Sequence, residues 1–216
     1  MRLCIFSDVH ANLPALETLI ERTKGCVDGY VCLGDSVDYG PWNDECLEVI
    51  HALPNVSVIE GNHERLFAGP DPVTREHSLV QEFFATSSRW FTRRDLITGL
   101  AQEHTLGSFQ CLHTIDDRRI YANTAIDVAG NFIIGHTHHQ FRLERPLGTI
   151  INCGSVGQNR RRGDMIAFAI WSADEDAVSL HQWPYPVERF IRELSVRRYP
   201  DRCVQYYREL HNRARA

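Results

Sequence analysis

The chain has 216 residues and carries 23 Lys and Arg against 28 Asp and Glu, a net charge of −5 with histidine neutral. This length is enough for one domain to bury its own core, and a hydrophobic fraction of 43% excludes an intrinsically disordered chain. The acidic balance also argues against a protein that binds nucleic acid through bulk positive charge.

Compact apolar runs recur along the chain and predict strands that are buried on both faces. The predicted strands are Arg2–Ser7, Gly29–Leu33, Val56–Ile59, Phe109–Leu112, Asn131–Ile134, Thr149–Asn152 and Met165–Trp171. Leucines recur at helical spacing after Asn12, which predicts a helix capped by that residue with Pro14 in its first turn. A second helix is predicted from Asn43 to Ala52. This alternation of strands and helices predicts an α/β protein.

Residues 64–104 differ in character, since they hold aromatic residues and no strong strand signal. We predict a helical, cap-like insertion here, within a single domain that spans residues 1–216. Its aromatic side chains either pack in a core or form an apolar wall for a nucleobase or an aryl leaving group. Short strands and turns dominate after about Gly107, and two last helices are predicted over Glu188–Leu194 and Val204–Arg215.

The cysteines and the apolar runs together predict where in the cell the protein is located. The seven cysteines form no CxxC pair, which favours reduced thiols and a cytoplasmic protein. No apolar run approaches the roughly 20 residues that span a bilayer, so we expect no association with a membrane.

Five polar motifs carry the chemistry, and four of them directly follow a predicted strand. They are Ser7-Asp8-Val9-His10, Gly34-Asp35-Ser36-Val37-Asp38, Gly61-Asn62-His63-Glu64, Leu112-His113 and Gly135-His136-Thr137-His138. Ligand sites of α/β proteins gather at the carboxyl ends of strands, so these side chains are expected to converge.

The converging side chains offer oxygen and imidazole ligands for metal ions. The seven candidate ligands are Asp8, His10, Asp35, Asn62, His113, His136 and His138. One divalent cation takes about four to six ligands, so seven predict two cations that share a carboxylate. Such pairs clamp the attacking and leaving oxygens of a displacement at phosphorus. His63 is surplus to the ligand set and is a candidate general acid.

The order of these motifs resembles that of the calcineurin-like metallophosphoesterases. The sequence looks closest to a small bacterial phosphodiesterase-like branch with the motif S-D-x-H-x-N-L-P-A-L-E, which spans residues 7–17 here. The resemblance extends to about residue 160. It implies a four-layer α/β/β/α sandwich of two mixed β-sheets flanked by helices. Ala11 replaces a glycine that is usual in the family, and we expect an unstrained backbone there.

The resemblance also implies a role for each site residue. One metal would be held by Asp8, His10, Asp35 and His138, and the other by Asp35, Asn62, His113 and His136. A hydroxide between the metals would attack phosphorus, and His63 would protonate the leaving group while Asp38 orients its imidazole. Mn²⁺ is the favoured ion, and Fe, Ni²⁺, Zn²⁺ and Mg²⁺ also fit such ligands.

These observations predict a dimetal phosphoesterase that hydrolyses a phosphomonoester or phosphodiester of a small phosphorylated molecule, including a nucleotide. Three alternatives stay open: a nucleoside polyphosphate hydrolase of the diadenosine tetraphosphate type, a protein serine/threonine phosphatase, and a non-catalytic scaffold on the same fold. The sequence does not fix the oligomeric state. It also leaves open whether Arg160, Arg161 and Arg162 bind substrate phosphate or form a solvated turn.

Overall fold

The computed structural model describes residues 1–69 and 72–213, and these residues form ten strands and six α-helices. The strands are β1 (Arg2–Phe6), β2 (Gly29–Cys32), β3 (Val56–Val58), β4 (Glu103–Leu106), β5 (Phe109–Leu112), β6 (Asn131–Ile134), β7 (Phe141–Arg145), β8 (Gly148–Asn152), β9 (Met165–Ser172) and β10 (Ala177–Pro184). The helices are α1 (Leu13–Thr23), α2 (Asn43–His51), α3 (Asn62–Ala68), α4 (Ser78–Ser87), α5 (Val187–Val196) and α6 (Asp201–Arg213). The predicted end of the last helix at Arg215 lies outside the described residues.

The strands form two five-stranded mixed sheets. The first has the order β10-β9-β1-β2-β3, and the second has the order β4-β5-β6-β8-β7. Strands β1, β2 and β3 run parallel, as do β5, β6 and β8, while antiparallel neighbours complete each sheet. The prediction of two mixed sheets flanked by helices is therefore confirmed, and the helices lie mainly against the first sheet.

Apolar side chains from both sheets meet in the layer between them. Ile5 and Val31 of the first sheet pack in one buried cluster with Cys111, Ile133 and Ile151 of the second. Because successive residues of a strand face opposite sides, the neighbouring side chains point outward. The outer face of the first sheet is covered by the helices, and that of the second by residues 115–128, which form no regular helix.

The two predicted N-terminal helices are present at nearly the predicted residues. Helix α1 begins after Asn12, whose side chain accepts a hydrogen bond from the backbone N–H of Ala15, and Pro14 lies in its first turn. Helix α2 begins at Asn43 and ends before Ala52. All seven predicted strands are also present, with ends that shift by about one residue.

Residues 64–104 hold helices α3 and α4, three short 3₁₀ turns and the start of β4. Phe83 of α4 is fully buried, and its ring lies 6.0 Å from that of Tyr206 and 5.9 Å from that of Tyr207. Phe84 and Phe91 pack against Phe67. Most of the aromatic residues in this segment therefore pack in cores. Among the described residues, no helix has both the length and the apolar character that crossing a membrane requires.

Candidate metal centre

The carboxyl ends of the parallel strands bring every predicted site residue to one edge of the sandwich. Asp8 and His10 follow β1, Asp35 follows β2, and Asn62 and His63 begin the helix after β3. The second sheet supplies His113 after β5, and His136 and His138 after β6. The site therefore lies where the two sheets meet, and both sheets contribute side chains to it.

Strained backbone turns hold these side chains in place. Five candidate ligands have the left-handed conformation, with φ of 56° at Asp8, 49° at His10, 55° at Asp35, 66° at His136 and 60° at His138. This conformation costs a residue with a Cβ about 1–2 kcal/mol, and it clusters at functional sites. Ala11 also has φ of 49°, so the expectation of an unstrained backbone there is wrong. The position favours glycine because the chain turns sharply out of β1.

Two glycines let the backbone approach the carboxylates closely. A Cβ on Gly61 would lie 2.2 Å from Oδ1 of Asp35, and one on Gly135 would lie 2.7 Å from Oδ2 of Asp8. Real Cβ atoms do not come so close to another heavy atom, so a side chain at either position would push the carboxylate away. These contacts explain why glycine precedes both Asn62 and His136.

A first group of ligand atoms gathers around Asp8. Its four members are Asp8, His10, Asp35 and His138, all buried, and their ligand atoms lie within 4.8 Å of one another. Oδ1 of Asp8 is 3.2 Å from Nε2 of His138 and 3.9 Å from Nε2 of His10. The two imidazole nitrogens are 3.2 Å apart.

A second group shares Asp35 with the first. Asp35, His113 and His136 have ligand atoms within 4.8 Å of one another, and Oδ2 of Asp35 is 3.2 Å from Nε2 of His113. Oδ1 of Asn62 joins them, at 3.0 Å from Nε2 of His113 and 2.9 Å from Nδ1 of His136. These are the two sets that the sequence resemblance implies.

The ligand atoms are oriented to bind a cation and cannot all satisfy one another by hydrogen bonds. Nδ1 of His10 donates to the carbonyl of Val37 (3.1 Å), and Nδ1 of His138 donates to that of Gln158 (3.1 Å). Each Nε2 is then an acceptor that faces another acceptor. Oδ1 of Asp8 is buried and has no hydrogen-bond donor among the described residues. Divalent cations would satisfy these facing acceptors, so the residues fit the metal ions that the fold implies.

Burial and mutual charge keep His10 and Asp35 in their metal-binding forms. Burial lowers the pKa of His10 well below its usual range, and the imidazole of His138 lowers it further. Burial alone would raise the pKa of Asp35, but the imidazoles of His113 and His63 outweigh it and hold this pKa well below its usual range. Neutral imidazole and ionised carboxylate are the forms that bind a metal. Burial alone would lower the pKa of His113, but the charge of Asp35 raises it to about 9, so binding of a metal there would release a proton.

His63 faces the same site, and its imidazole is hydrogen-bonded to the carboxylate of Asp38. Its Nδ1 lies 2.9 Å from Oδ2 of Asp38, and its backbone N–H donates to Oδ1 of Asp35 at 2.8 Å. Burial by itself would lower the pKa of His63, but the charges of Asp35 and Asp38 raise it to about 9. A protonated imidazole can donate a proton from Nε2 while Nδ1 remains bound to Asp38.

Asp38 is held in turn by helix α4, which the sequence did not connect with the site. Oγ of Ser87 donates to Oδ1 of Asp38 at 2.7 Å, and both residues are buried. The side-chain amide of Asn43 donates to the carbonyl of Ser87, while its oxygen accepts from the backbone N–H of Asp38. Ser87, Asp38 and His63 therefore form a hydrogen-bonded relay that links α4 to the site.

Glu64 fixes the loop that carries Asp35. Its buried carboxylate accepts three backbone N–H groups, those of Asp35 (2.7 Å), Ser36 (2.6 Å) and Gly61 (2.9 Å). The same carboxylate caps the first turn of α3, where the partial positive charge of the helix favours an anion. Glu64 therefore fixes the loops after β2 and β3 relative to each other.

A cavity of about 510 Å³ opens above both ligand groups. Its walls include Leu79 and Val80 of α4 and Tyr206 and Leu210 of α6. Arg160 also lines it, whereas Arg161 and Arg162 are exposed. The sequence left two interpretations for the three arginines. In the structure the first of them faces the cavity and the other two face solvent.

Comparison with known proteins gives related sequences and folds. A family model for the calcineurin-like phosphoesterase superfamily domain matches residues 1–176. The chain is similar to a metallophosphoesterase from Sphaerobacter thermophilus, with 26% identity, 96% and 98% of the two chains covered and a TM-score of 0.76. It shares its fold with hypothetical protein PH1004 from Pyrococcus horikoshii OT3, at 16% identity, 95% and 97% coverage and a TM-score of 0.82. An uncharacterized protein of Methanocaldococcus jannaschii is 21% identical over 92% of this chain and 94% of its own length.

Proposed function

The chain belongs to the calcineurin-like phosphoesterase superfamily, and we propose that it hydrolyses a phosphomonoester or phosphodiester of a small molecule. One observation carries this proposal. Two groups of metal ligands, one buried and one partly buried, share Asp35, and an imidazole held by a carboxylate lies beside them under an open cavity. Phosphoryl transfer needs this combination of charge neutralisation and proton donation.

The two ligand groups would each hold one divalent cation, with Asp35 bridging. We expect Mn²⁺ to support activity best, because carboxylate, amide and imidazole ligands suit it. Bound cations supply Lewis acidity, which neutralises charge on the phosphoryl group and makes water a nucleophile near neutral pH. The chain's own contribution is to fix the ligands through the carbonyl and Glu64 contacts described above.

His63 would serve as the general acid. Its Nε2 would give its proton to the oxygen of the leaving group, and Asp38 would keep Nδ1 bonded so that the ring does not turn. Tyr39 packs against this ring at a centroid distance of 5.1 Å and restricts it further.

Metal-restored turnover tests the proposal. Protein stripped with a chelator is titrated with Mn²⁺, Ni²⁺, Zn²⁺ or Mg²⁺, and hydrolysis of bis(4-nitrophenyl) phosphate and 4-nitrophenyl phosphate is measured. We expect turnover to return with metal and to be absent in Asp35→Ala, while the exposed control Asp174→Ala behaves like the wild type. Two bound ions per chain without turnover on any phosphate ester would favour the non-catalytic scaffold instead.

The role of His63 has its own test. In His63→Ala, turnover of an alkyl phosphate should fall by about 10²–10⁴-fold, since an alkoxide needs a proton to leave. Turnover of the nitrophenyl ester should fall far less, because nitrophenolate leaves without one. His104→Ala, on strand β4, is the matched control. Equal losses on both esters would contradict the acid role.

A further inference from the structure

Arg160 is a cation at the cavity wall that forms no ion pair with an acidic side chain of the described residues, although Glu76 lines the same cavity. It is partly buried, and among the described residues no carboxylate forms an ion pair with it. Its neighbour Arg162, by contrast, pairs with Asp164 at 3.2 Å. Removing a guanidinium from water without a counterion is costly, so an unpaired one beside a ligand cavity indicates an anion that arrives with the ligand.

Two tyrosines fix the guanidinium in place. Nη1 of Arg160 donates to the hydroxyl of Tyr206, and the guanidinium carbon lies 5.6 Å from the centre of that ring. Tyr39 lies near the guanidinium and lines the same cavity. A guanidinium has five N–H donors, so several remain for a ligand after these contacts. Its position is therefore set before any ligand binds.

The backbone that carries Arg160 is tied to the candidate metal centre. The carbonyl of Gln158 accepts from Nδ1 of His138, and the N–H of Gly157 donates to the carbonyl of Asp8 at 3.0 Å. A Cβ on Gly157 would lie 1.8 Å from the carbonyl oxygen of Val9, so the loops touch without room for a side chain. The distance from Arg160 to the ligand groups is consequently fixed.

Tyr39 shows on which side of the centre Arg160 lies. Its ring packs against His10 at 4.7 Å and against His63 at 5.1 Å, and both Tyr39 and Arg160 line the cavity. Arg160 is therefore one aromatic ring away from His63. The proton donor faces the leaving group, so we place Arg160, on the same side of the centre, near the leaving group rather than near the attacking side.

We propose that Arg160, held by Tyr39 and Tyr206, binds a second phosphoryl group located in the leaving group of the substrate. This inference rests on the proposed function, because it needs a phosphoryl group to be cleaved at the metal centre. A planar guanidinium binds phosphoryl oxygens through two parallel hydrogen bonds. The cavity also has a volume that is typical of sites for small ligands. The substrate class is an organic bisphosphate or a compound with a phosphoanhydride chain.

A matched pair of substrates tests this subsite. Propane-1,3-diyl bisphosphate and 3-hydroxypropyl phosphate differ only in the second phosphoryl group, and 4-phosphonooxybutanoate offers a carboxylate instead. For the metal-loaded wild type we expect kcat/KM to be about 10- to 100-fold higher for the bisphosphate than for the monophosphate. Arg160→Gln should abolish this preference, Arg160→Lys should restore part of it, and exposed Arg161→Gln should retain it. Binding of propane-1,3-diyl bisphosphonate, measured by calorimetry, should weaken by a similar factor in Arg160→Gln.

The possible outcomes distinguish a failure of the phosphate subsite from a failure of the proposed phosphoesterase activity. Equal kcat/KM on bisphosphate and monophosphate, or an equal loss on both in Arg160→Gln, would overturn the subsite and leave the phosphoesterase proposal intact. A preference for the carboxylate ester would also overturn it, since the receptor would then not be one for phosphate. No metal-dependent hydrolysis of any ester would contradict the proposed function itself. Unchanged thermal unfolding and metal content of Arg160→Gln control for folding.

Discussion

Ser87→Ala probes the relay between helix α4 and the proposed general acid. The substitution removes one hydroxyl and leaves the Ser87 carbonyl, which accepts from Asn43, in place. Oδ1 of Asp38 then loses the donor that lay 2.7 Å away. Asp38 is fully buried, so water does not readily replace that donor.

The expected loss of stability and of turnover in Ser87→Ala can be worked out from this hydrogen bond. A hydrogen bond to a charged group contributes about 1.5–3 kcal/mol, and a buried acceptor left without a donor costs a similar amount. For a chain of this size, such a loss lowers the melting temperature by roughly 3–10 °C. Without the Ser87 hydroxyl the Asp38 carboxylate keeps its bond to His63 but is held less firmly, so the imidazole is oriented less precisely. We expect about one decade of the general-acid contribution to disappear.

The assay compares two leaving groups and two serines. In Ser87→Ala, turnover of an alkyl phosphate should fall about 10-fold, while turnover of 4-nitrophenyl phosphate and the content of bound metal should stay unchanged. Ser88→Ala is the matched control, because this neighbouring serine is not part of the relay. A loss of the same size on both substrates would mean that Ser87 supports only the fold. No loss on the alkyl ester would refute the relay itself.

Other residues of the centre give further predictions. Removing metal with a chelator should lower the melting temperature by about 5–10 °C, since a ligand at 100 times its Kd stabilises the folded state by about 2.7 kcal/mol; an unchanged melting curve would argue against metal binding. Glu64→Gln should cost about 2–3 kcal/mol in chemical denaturation, because an amide cannot accept all three backbone N–H groups; a loss below 0.5 kcal/mol would contradict its role. Gly157→Ala should impair folding and activity together, since its Cβ would meet the carbonyl of Val9; a fully active, equally stable variant would show that the two loops separate freely.

The sequence predicted the strands that lie inside the sheets better than those at the edges. The three strands that it did not predict, β4, β7 and β10, are all edge strands. In β7 the buried Phe141 and Leu143 alternate with the polar Arg142 and Glu144, so the segment has no continuous apolar run. An edge strand needs only one apolar face, and its polar residues also blunt unwanted pairing. A search for continuous apolar runs therefore finds the interior strands and misses these.

The ligands were predictable because each motif lies at or near the end of a strand and carries its chemistry in neighbouring residues. The residues around them were not. Ser87 lies 49 residues after Asp38 in the chain, and no local pattern indicates that α4 brings it back to that carboxylate. Three successive arginines are equivalent in the sequence, and contacts with distant segments, such as Tyr206 of α6, accompany the exposure of Arg160 to the cavity. Such contacts depend on packing between distant segments rather than on local spacing.

The shared position of the centre between two sheets also constrains when it can form. His10 and His138 are 128 residues apart in the chain, yet their ring nitrogens lie 3.2 Å apart. A chain being synthesised from its amino terminus can assemble β1, β2 and β3 long before residue 138 leaves the ribosome. Until the second sheet forms, Asp8, His10 and Asp35 lack the imidazoles of His113, His136 and His138, which complete the two ligand groups. Metal capture would then follow the joining of the two sheets, and a bound metal ion would indicate that they have joined.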